Sequence, residues 1–516
     1  MMMDASVNPA ALRAGRREWL GLAVLTLPCL IYSMDLTVLN LAAPQIAADL
    51  KPSAAQMLWI VDIYGFLVAG SLITMGTLGD RIGRRRLLMI GALAFGAASI
   101  LAAFAPNAEL LIVARALLGI AGATLAPSTL SLLRNMFDDP RQRTFAISVW
   151  GTSYAAGSAI GPVIGGILLE FFWWGSVFLI ALPVMALLLV VGPRLLPEFR
   201  DANAGRLDFV SAGLSLAAVL AVIYGLKRIA EHGIGWLPFA SIAAGLVLGA
   251  LFVRRQRRLA DPLIDLALFR SRVFSTALGV NVVGCLVIFG IFFLLAQHLQ
   301  MVIGLSPLEA GLWTLPAALA ITASSMSASF IVARFRPATV IAAGFGLLAF
   351  GLALMPLAHG RFALEIIVGA WVISAVGLGP IFILTTDLLL GAAPAERAGA
   401  ASAISETGAE FGGVLGIAVL GSVAVAVYRT AMLDVPAGLD LTPAAIAAAR
   451  DTLGGAVAMS IEYPGPSTTA LLDLARTAFS ASVDTVAVIC AVIAVAGAVA
   501  AWRLLRDVER PKGGHG

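Results

Sequence analysis

Residues 76–86 read GTLGDRIGRRR, and this polar stretch lies between two apolar runs at positions 56–78 and 87–105. An α-helix needs about 20 predominantly apolar residues to cross the hydrocarbon core of a bilayer, and both runs have about that length. The glycines permit a tight turn between two helix ends, and the arginines are suited to anionic lipid headgroups. The stretch therefore predicts two membrane-spanning helices joined by a short basic loop.

Apolar runs of the same kind continue along the whole chain. The 516 residues are 60% hydrophobic and only 12% charged, whereas a soluble domain has about 25% charged residues. This composition excludes a soluble globular protein and argues against nucleic-acid binding. We count fourteen runs, at 19–43, 56–78, 87–105, 109–133, 144–169, 174–193, 208–226, 236–253, 273–298, 309–332, 338–357, 362–386, 399–427 and 480–502. The runs are too long for barrel strands, and an open sheet would leave unpaired backbone groups in lipid. We therefore predict an all-α polytopic membrane protein with 14 transmembrane helices.

The arginines indicate the orientation of these predicted spans. When the amino terminus is placed in the cytoplasm, most of the 34 lysines and arginines fall in loops on that same side, as the positive-inside rule requires. A miscounted helix would invert every later loop, so the pattern predicts that both termini are cytoplasmic. The first run has no small-residue cleavage site and contains an aspartate, so we interpret it as a retained helix.

Two connections between spans stand out. The stretch 428–479 contains four prolines and lies on the outside in this orientation, and its pieces 442–459 and 467–479 predict a helical hairpin outside the membrane. The arginine-rich segment 254–272 is typical of a cytoplasmic linker between two halves of the chain.

Five ionisable side chains fall well inside the predicted spans: Asp35, Asp62, Arg115, Glu406 and Glu410. A carboxylate at the bilayer centre costs about 2.5–3.5 kcal/mol on insertion scales, so one that persists usually faces a cavity or a partner. Each acid is therefore a candidate for binding a proton or a cation. A structural role, such as a salt bridge between Asp35 and Arg115, is the alternative.

The spacing of Glu406 and Glu410 places both on one face of their helix. Two poorly solvated carboxylates at that distance do not ionise together easily, so we expect at least one to take up and release protons. Arg115 stays charged at any ordinary pH and, when buried, needs an acceptor. It either drives proton release from a nearby acid or locks its helix to a neighbour, and both roles stay open.

Span 5 carries small residues at helical spacing. Glycines four residues apart let two helix backbones approach closely, and a proline adds a kink. Ordinary helix packing is the alternative to a functional role for this set, which comprises Gly157, Gly161, Pro162, Gly165 and Gly166.

Four sequence motifs carry a family resemblance. The loop at 76–86 resembles G-x-L-x-D-r-x-G-r-r-r, the signature loop of the major facilitator superfamily. Residues 34–44, MDLTVLNLAAP, are similar to the D-x-T motif of fourteen-helix drug:proton antiporters. Arg115 and Gly119 resemble an R-x-x-x-G motif assigned to proton transfer, and the span 5 glycines are similar to the antiporter motif of exporters. The chain thus resembles the fourteen-helix drug:proton antiporter family, multidrug exporters of the QacA, SmvA and LfrA type.

The resemblance implies two six-helix bundles around a central cavity, with helices 7 and 8 as an accessory pair. The expected domains are a cytoplasmic tail at 1–18, an amino-terminal bundle at 19–193, accessory helices and cytoplasmic linkers at 194–272, a carboxy-terminal bundle at 273–502 with the extracellular hairpin at 428–479, and a cytoplasmic tail at 503–516. The signature loop would gate the movement of the bundles through Gly76, Gly79, Asp80, Arg81, Gly83 and Arg84.

The resemblance also implies the transport reaction. The expected function is proton-coupled export of lipophilic cations, namely quaternary ammonium compounds, dyes and biguanides, from the bacterial cytoplasm across the inner membrane by alternating access. No cofactor or metal is expected, because protons drive the exchange, and the expected partners are these cations, protons and membrane lipids, with the monomer as the working unit. The residues that match the family's coupling positions are Asp35, Arg115, Glu406 and Glu410. Span 10 contains no acid between 312 and 332, which makes transport of dications a weaker expectation.

The expected substrate site combines acids with aromatic side chains. An ionised carboxylate would attract the cation, and aromatic rings would supply cation–π contacts and apolar surface. Lipid-facing positions or ordinary packing are the alternative for each ring. The candidates are Asp35, Asp62, Glu406, Glu410, Tyr32, Trp59, Tyr64, Trp150, Tyr154 and Phe411.

Three other functions are weighed against drug export. An exporter of an endogenous metabolite or lipid fits the same spans, although an anionic substrate would need more arginines in the cavity. A membrane-embedded enzyme acting on lipid would need a catalytic group, yet Cys29, Cys285 and Cys490 lie singly in apolar runs and no two histidines share a segment. A channel is disfavoured by the loop and span 5 motifs, and no phosphate-binding loop for ATP is present.

Overall fold

The computed structural model describes residues 14–137, 139–200, 208–232, 235–259, 262–264, 266–332, 334–393, 398–434 and 442–508. Within these residues the chain forms α-helices joined by short turns, with no β-strand. The tails at 1–13 and 509–516 lie outside them. The α-helices are α1 Arg16–Leu50, α2 Ala54–Ile82, α3 Arg84–Ala103, α4 Ala108–Gly122, α5 Leu125–Met136, α6 Pro140–Phe171, α7 Ser176–Leu179, α8 Ala181–Leu195, α9 Phe209–His232, α10 Trp236–Gln256, α11 Arg272–Gln297, α12 Pro307–Val332, α13 Pro337–Leu354, α14 Ala363–Gly391, α15 Ala398–Ala431, α16 Pro443–Asp451, α17 Leu453–Glu462 and α18 Pro466–Leu504.

The all-helical membrane fold predicted from the sequence is confirmed. Twelve of the described helical segments are long and apolar enough to cross a bilayer, and α1 is a thirteenth although it bends by 43° between Asp35 and Thr37. The count of fourteen stays a prediction, because it depends on α6. That helix has 32 residues. Within its described residues, the continuous apolar segment is Ile160–Phe171, which is shorter than a full membrane span.

Local sequence signals explain where helices begin. The Ser53 hydroxyl accepts from the Gln56 backbone N–H at 3.2 Å, and the Gln56 side chain accepts from the Ser53 N–H at 2.9 Å. Ser306 and Glu309 form the same reciprocal pair at the start of α12, at 3.2 and 2.9 Å. Such capping boxes satisfy two backbone donors that the first helical turn leaves free.

Two groups of helices account for most of the packing. In the amino-terminal bundle α1 packs against α6 and α8, and α4 packs against α2 and α3. In the carboxy-terminal bundle α11 packs against α15, α13 packs against α18, and α14 packs against α12. We call the end of the molecule that carries α16 and α17 the hairpin end. The opposite end, which carries the 76–86 loop, is the arginine-rich end.

The accessory pair, α9 and α10, lies against both bundles. The two helices pack on each other, and α9 also contacts α2 and α15. Phe66, Ile223, Val414 and Ala418 form a buried cluster at that three-helix contact. The pair therefore covers the groove between the bundles on the side where α2 meets α15.

An ion pair anchors the arginine-rich end of the accessory pair. Asp208 and Arg255 approach to 3.0 Å, and Arg255 donates hydrogen bonds that lower the pKa of Asp208 to about 2. The Gln256 side chain accepts from the Leu263 backbone N–H at 2.7 Å and so holds the following loop.

The structure modifies the predicted hairpin. The piece 442–459 is helical, as α16 and α17, whereas 467–479 is the start of α18 and not a separate segment. No proline interrupts 467–504, so the helix that begins at Pro466 continues into the membrane span. The hairpin reaches the amino-terminal bundle, because Glu462 pairs with Lys51 at 3.1 Å and Asp451 accepts from the Ala54 N–H at 3.2 Å.

The two bundles contact each other in the hairpin half of the molecule. A Cβ on Gly166 of α6 would lie 2.8 Å from the Leu308 Cα of α12, and a Cβ on Gly311 would overlap the Pro162 carbonyl. The Gln300 side chain also donates to the Leu41 carbonyl at 3.1 Å. These close backbone approaches shut the molecule at the hairpin end.

Candidate functional site

A cavity of about 250 Å³ lies between the two bundles at mid-height. Its apolar wall includes Val61 from α2, Phe289 from α11 and Ile417 from α15. Its polar side chains are Tyr32, Ser33, Asp62, Arg115, Tyr154, Cys285 and Glu410. A mostly apolar enclosure with a few converging polar groups is the usual form of a small-molecule site.

Glu410 of α15 joins the two bundles across this cavity. The Tyr32 hydroxyl of α1 donates a hydrogen bond to Glu410 Oε1 at 2.8 Å. The Tyr32 ring is buried against Tyr64 and Tyr154, with ring centroids at 6.1 and 5.7 Å. Because the ring is held from two sides, its hydroxyl fixes the position of the Glu410 carboxylate.

Arg115 of α4 is held inside the amino-terminal bundle by several partners. Its Nη1 lies 2.6 Å from Asp35 Oδ2, and its Nε donates to the Ile60 carbonyl at 3.2 Å. Its guanidinium carbon lies 4.5 Å from the centre of the Tyr64 ring. The salt bridge that the sequence allowed between Asp35 and Arg115 is thus present, and it satisfies a buried cation that needs an acceptor.

The remaining acids occupy different positions. The Asp62 side chain is only 1% exposed and lines the cavity from α2. Glu406 lies one helical turn from Glu410 on α15 and is half-buried. Asp35 is a lining residue of a smaller pocket inside the amino-terminal bundle and not of the central cavity.

Two arginines of the 76–86 loop, Arg84 and Arg85, bind to other parts of the protein. Arg84 is buried and donates to the Pro127 carbonyl at 3.4 Å. The Arg85 backbone N–H donates to Glu198 at 3.0 Å, and the Arg85 guanidinium donates to the Leu196 carbonyl at 3.0 Å. The lipid-anchoring interpretation is therefore wrong for these two arginines, because α5 supplies a carbonyl acceptor for Arg84 and the chain that follows α8 supplies carbonyl and carboxylate acceptors for Arg85. Gly76, Arg81 and Arg86 remain at least partly exposed.

Two glycines and Asp80 complete the description of that loop. Gly83 has φ +111°, a backbone conformation that L side chains rarely adopt. A Cβ on Gly79 would lie 3.0 Å from the Arg84 Cδ. The Asp80 side chain lies outside the described part of the structure.

The small residues of α6 pack on two different partners. A Cβ on Gly157 or Gly161 would overlap Leu30 or Thr37 of α1, and one on Gly165 would lie 2.6 Å from Val38 Cγ1. Gly166 and Pro162 instead approach α12 of the other bundle. One face of α6 therefore packs within its bundle, and the other closes the hairpin end.

Comparisons with known proteins establish the family. The family model described as Major Facilitator Superfamily matches residues 26–417. The chain belongs to the Major Facilitator Superfamily. It is 45% identical to the "Multidrug efflux pump LfrA" of Mycolicibacterium smegmatis, over 95% of this chain and 97% of that protein. It is 36% identical to the "Methyl viologen resistance protein SmvA" of Salmonella typhimurium, over 90% of this chain and 93% of that protein.

Solved structures agree on the fold. A bacterial homolog of the human lysosomal transporter Spinster covers 97% of this chain with a TM-score of 0.65 at 19% identity. A peptide transporter POT in complex with sulfate covers 94% with a TM-score of 0.60, also at 19% identity. This superfamily member is therefore a multi-pass membrane transporter and not an enzyme, which rules out the lipid-acting enzyme considered from the sequence.

The predicted aromatic side chains of this superfamily member divide into three groups. Tyr32 and Tyr154 line the central cavity, and Tyr64 lies beneath Arg115. Trp150 stacks edge-on against Tyr154 with centroids at 4.9 Å and donates to Thr129 at 3.0 Å. Trp59 packs beside the α2, α9 and α15 cluster, and Phe411 is half-buried outside the cavity wall.

Sequence reasoning missed several residues that line the cavity, among them Ser33, Cys285 and Phe289. A serine, a cysteine or a phenylalanine inside an apolar run carries no sign of its own that it faces a cavity, because all three are common in lipid-embedded helices. For Ser33 alone, its position beside Tyr32 offered a signal.

Proposed function

We propose that this chain is a proton-coupled multidrug efflux antiporter that exports lipophilic cations by alternating access. The observation that carries the proposal is the central cavity, in which two carboxylates, Asp62 and Glu410, lie within an aromatic and aliphatic wall. Among the described residues of that wall the one cation is Arg115, and it is already paired with Asp35. A site with this charge balance favours a cationic ligand with a large apolar surface over an anion.

The relatives support drugs as the substrates. Two similar proteins are named for multidrug efflux and for methyl viologen resistance, and the chain covers more than nine-tenths of each. The substrate class that fits the cavity comprises quaternary ammonium compounds, ethidium-like dyes and biguanides. Aromatic rings such as Tyr154 would contribute cation–π attraction of about 0.5–2 kcal/mol.

Proton coupling follows from competition for the acids. A carboxylate that binds a cation must be ionised, so protonation of Glu410 releases the cation and weakens the hydrogen bond that Glu410 accepts from the Tyr32 hydroxyl. Exchange of one proton for one monovalent cation is electroneutral and draws only on the pH gradient. A second proton would add about 2.3 kcal/mol per 100 mV of membrane potential.

The proposed direction of transport follows from the arginines. We place the arginine-rich end in the cytoplasm of a bacterial cell and the hairpin end outside. Closure at the hairpin end then corresponds to a state that receives drug from the cytoplasm or from the inner leaflet. We propose the monomer as the working unit.

The test is ethidium efflux from vesicles with an imposed pH gradient. The variants are Asp35→Asn, Glu406→Gln and Glu410→Gln, and the matched control is Asp387→Asn, an exposed acid of α14. We expect gradient-driven efflux by wild type and by the control, and its loss in all three variants. Full efflux by any one of them would refute the coupling role of that acid. Absence of efflux by well-folded wild type would favour an endogenous substrate.

A further inference from the structure

A second, smaller pocket lies beside α1 inside the amino-terminal bundle, and Leu39 of α1 lines both this pocket and the central cavity. Its volume is about 10 Å³, and it is enclosed by α1, α3, α7 and α8. Asp35 and Ser99 supply its polar lining, and the remaining lining side chains are apolar. Of the acids discussed above, Asp35 alone lines this pocket.

The ion pair separates the two spaces. Asp35 lines the small pocket, Arg115 lines the central cavity, and the two side chains touch at 2.6 Å. The Arg115 side chain is 1% exposed and the Asp35 side chain 12%. The Asp35 side chain thus keeps some accessible surface inside a helical bundle, and the pocket that it lines is the small one and not the central cavity.

The pocket has the size and lining of a water site. A cavity of about 10–15 Å³ is enough for one water molecule, which needs 2–4 polar partners. Asp35 and Ser99 provide two. Ser176, at the start of α7 beside the pocket residue Val177, is buried, and its hydroxyl has no hydrogen-bond partner among the described residues. Because α7 begins at the hairpin end, Ser176 lies on that side of Val177 along the chain.

We propose that this pocket is a water site that delivers protons to Asp35 by a route separate from the drug cavity. A hydronium ion formed there transfers its proton to the Asp35 carboxylate, so that a new O–H bond forms on Asp35 and a neutral water remains. This inference rests on the proposed antiport function for its purpose, but the pocket itself is independent of the substrate.

Protonation of Asp35 would couple proton binding to the drug cavity through Arg115. The titratable and charged groups that face Asp35 are Arg115 from α4 and, next to it, Tyr64 from α2. The pocket residues of α3, α7 and α8 are Ser99 and apolar side chains. When Asp35 becomes neutral, the guanidinium loses its counter-charge, and its positive charge then acts on the central cavity that it lines. Protons and drug therefore act on opposite sides of one ion pair.

The experiment measures proton arrival at Asp35 directly, without drug. Purified full-length protein in liposomes is subjected to a pH jump, and protonation is followed by the infrared carboxyl stretch that is absent in Asp35→Asn. Ala181→Leu places an apolar side chain into the small pocket, and Ala409→Leu does the same in the central cavity. We expect Ala181→Leu to slow the protonation of Asp35 at least tenfold, and Ala409→Leu to leave it within twofold of wild type.

A second pair of variants covers the case in which Ala181→Leu does not fold. Ser99→Ala removes the hydroxyl that lines the pocket and should slow protonation, while Ser99→Thr should retain the wild-type rate. Circular dichroism and thermal unfolding in detergent show whether each variant is folded, and ethidium binding by fluorescence polarisation, measured in parallel, reports on the drug cavity. A wild-type protonation rate in Ala181→Leu and Ser99→Ala, or equal slowing by Ala409→Leu, would mean that protons reach Asp35 through the central cavity, and the proposal would be wrong. A wild type that protonates Asp35 but binds no ethidium would count against the proposed function alone.

Discussion

The hydrogen bond between Tyr32 and Glu410 gives the most direct test of how the bundles are held together. Tyr32→Phe removes one oxygen and keeps the ring that packs between Tyr64 and Tyr154. The lost contact is a 2.8 Å bond from α1 of one bundle to α15 of the other. The substitution therefore weakens a cross-bundle contact while leaving the packing of the amino-terminal bundle in place.

The size of the effect follows from the type of bond. A hydrogen bond to an ionised group contributes about 1.5–3 kcal/mol, and one between neutral groups about 0.5–1.5 kcal/mol. Since about 1.4 kcal/mol is a factor of ten in an equilibrium constant, Tyr32→Phe should shift the ratio of closed to open hairpin end by roughly ten- to a hundredfold. If Glu410 is already protonated, the shift should be roughly tenfold or less.

Pairs of spin labels at the hairpin end report this equilibrium. Phe172, at the end of α6, and Ile461, on α17, are both large exposed side chains, with 58% and 71% exposure. Cysteines at these two positions carry the labels, because Cys29, Cys285 and Cys490 are buried. We expect the population at long distances to rise in Tyr32→Phe relative to wild type.

A double-mutant cycle separates this bond from other effects of the two side chains. Tyr32→Phe, Glu410→Gln and the double variant should be non-additive by about 1–3 kcal/mol, since each single change breaks the same contact. Additive effects, or a distance distribution in Tyr32→Phe that matches wild type, would show that the bond does not stabilise the closed state.

Three further predictions concern packing and charge. Gly311→Ala places a methyl group against a backbone carbonyl of α6 and should cost about 1–3 kcal/mol of the closed state, seen as a rise in long label distances. Gly83→Ala forces a side chain into φ +111° and within 2.7 Å of the Glu198 carboxyl carbon, and should cost about 1–2 kcal/mol, measured by thermal unfolding in detergent. Asp208→Asn removes the partner of Arg255. Because the pKa of Asp208 is lowered to about 2, its stabilising effect should be fully present above about pH 4 and be lost as the pH falls towards 2.

Each of these predictions has a matched control. Gly279→Ala and Gly346→Ala add the same methyl group where nothing lies within 4 Å of the new carbon, and should leave closure and thermal stability within about 0.5 kcal/mol of wild type. For Asp208, the difference in melting temperature from wild type should be constant between pH 8 and pH 5. A difference that declines over that range would show that another group titrates there.

The residue sequence determined the class of this protein. Apolar runs, arginine-rich loops and the 76–86 motif act locally, because each helix must satisfy its own backbone in lipid. The same logic identified the acids in the spans, since a carboxylate inside an apolar run is visible in the sequence before its partner is known. The bend in α1 was not predicted, because it is a property of the folded helix.

Only the tertiary structure decided which of these residues share a space. Tyr32 and Glu410 are 378 positions apart in the chain, and their contact depends on the rotation of two helices in different bundles. The sequence placed Asp35 and Asp62 together among the candidate substrate-binding acids, yet one lines a water-sized pocket and the other the central cavity. Helix rotation and bundle contact arise from packing summed over many distant residues, and no local pattern in the chain encodes them.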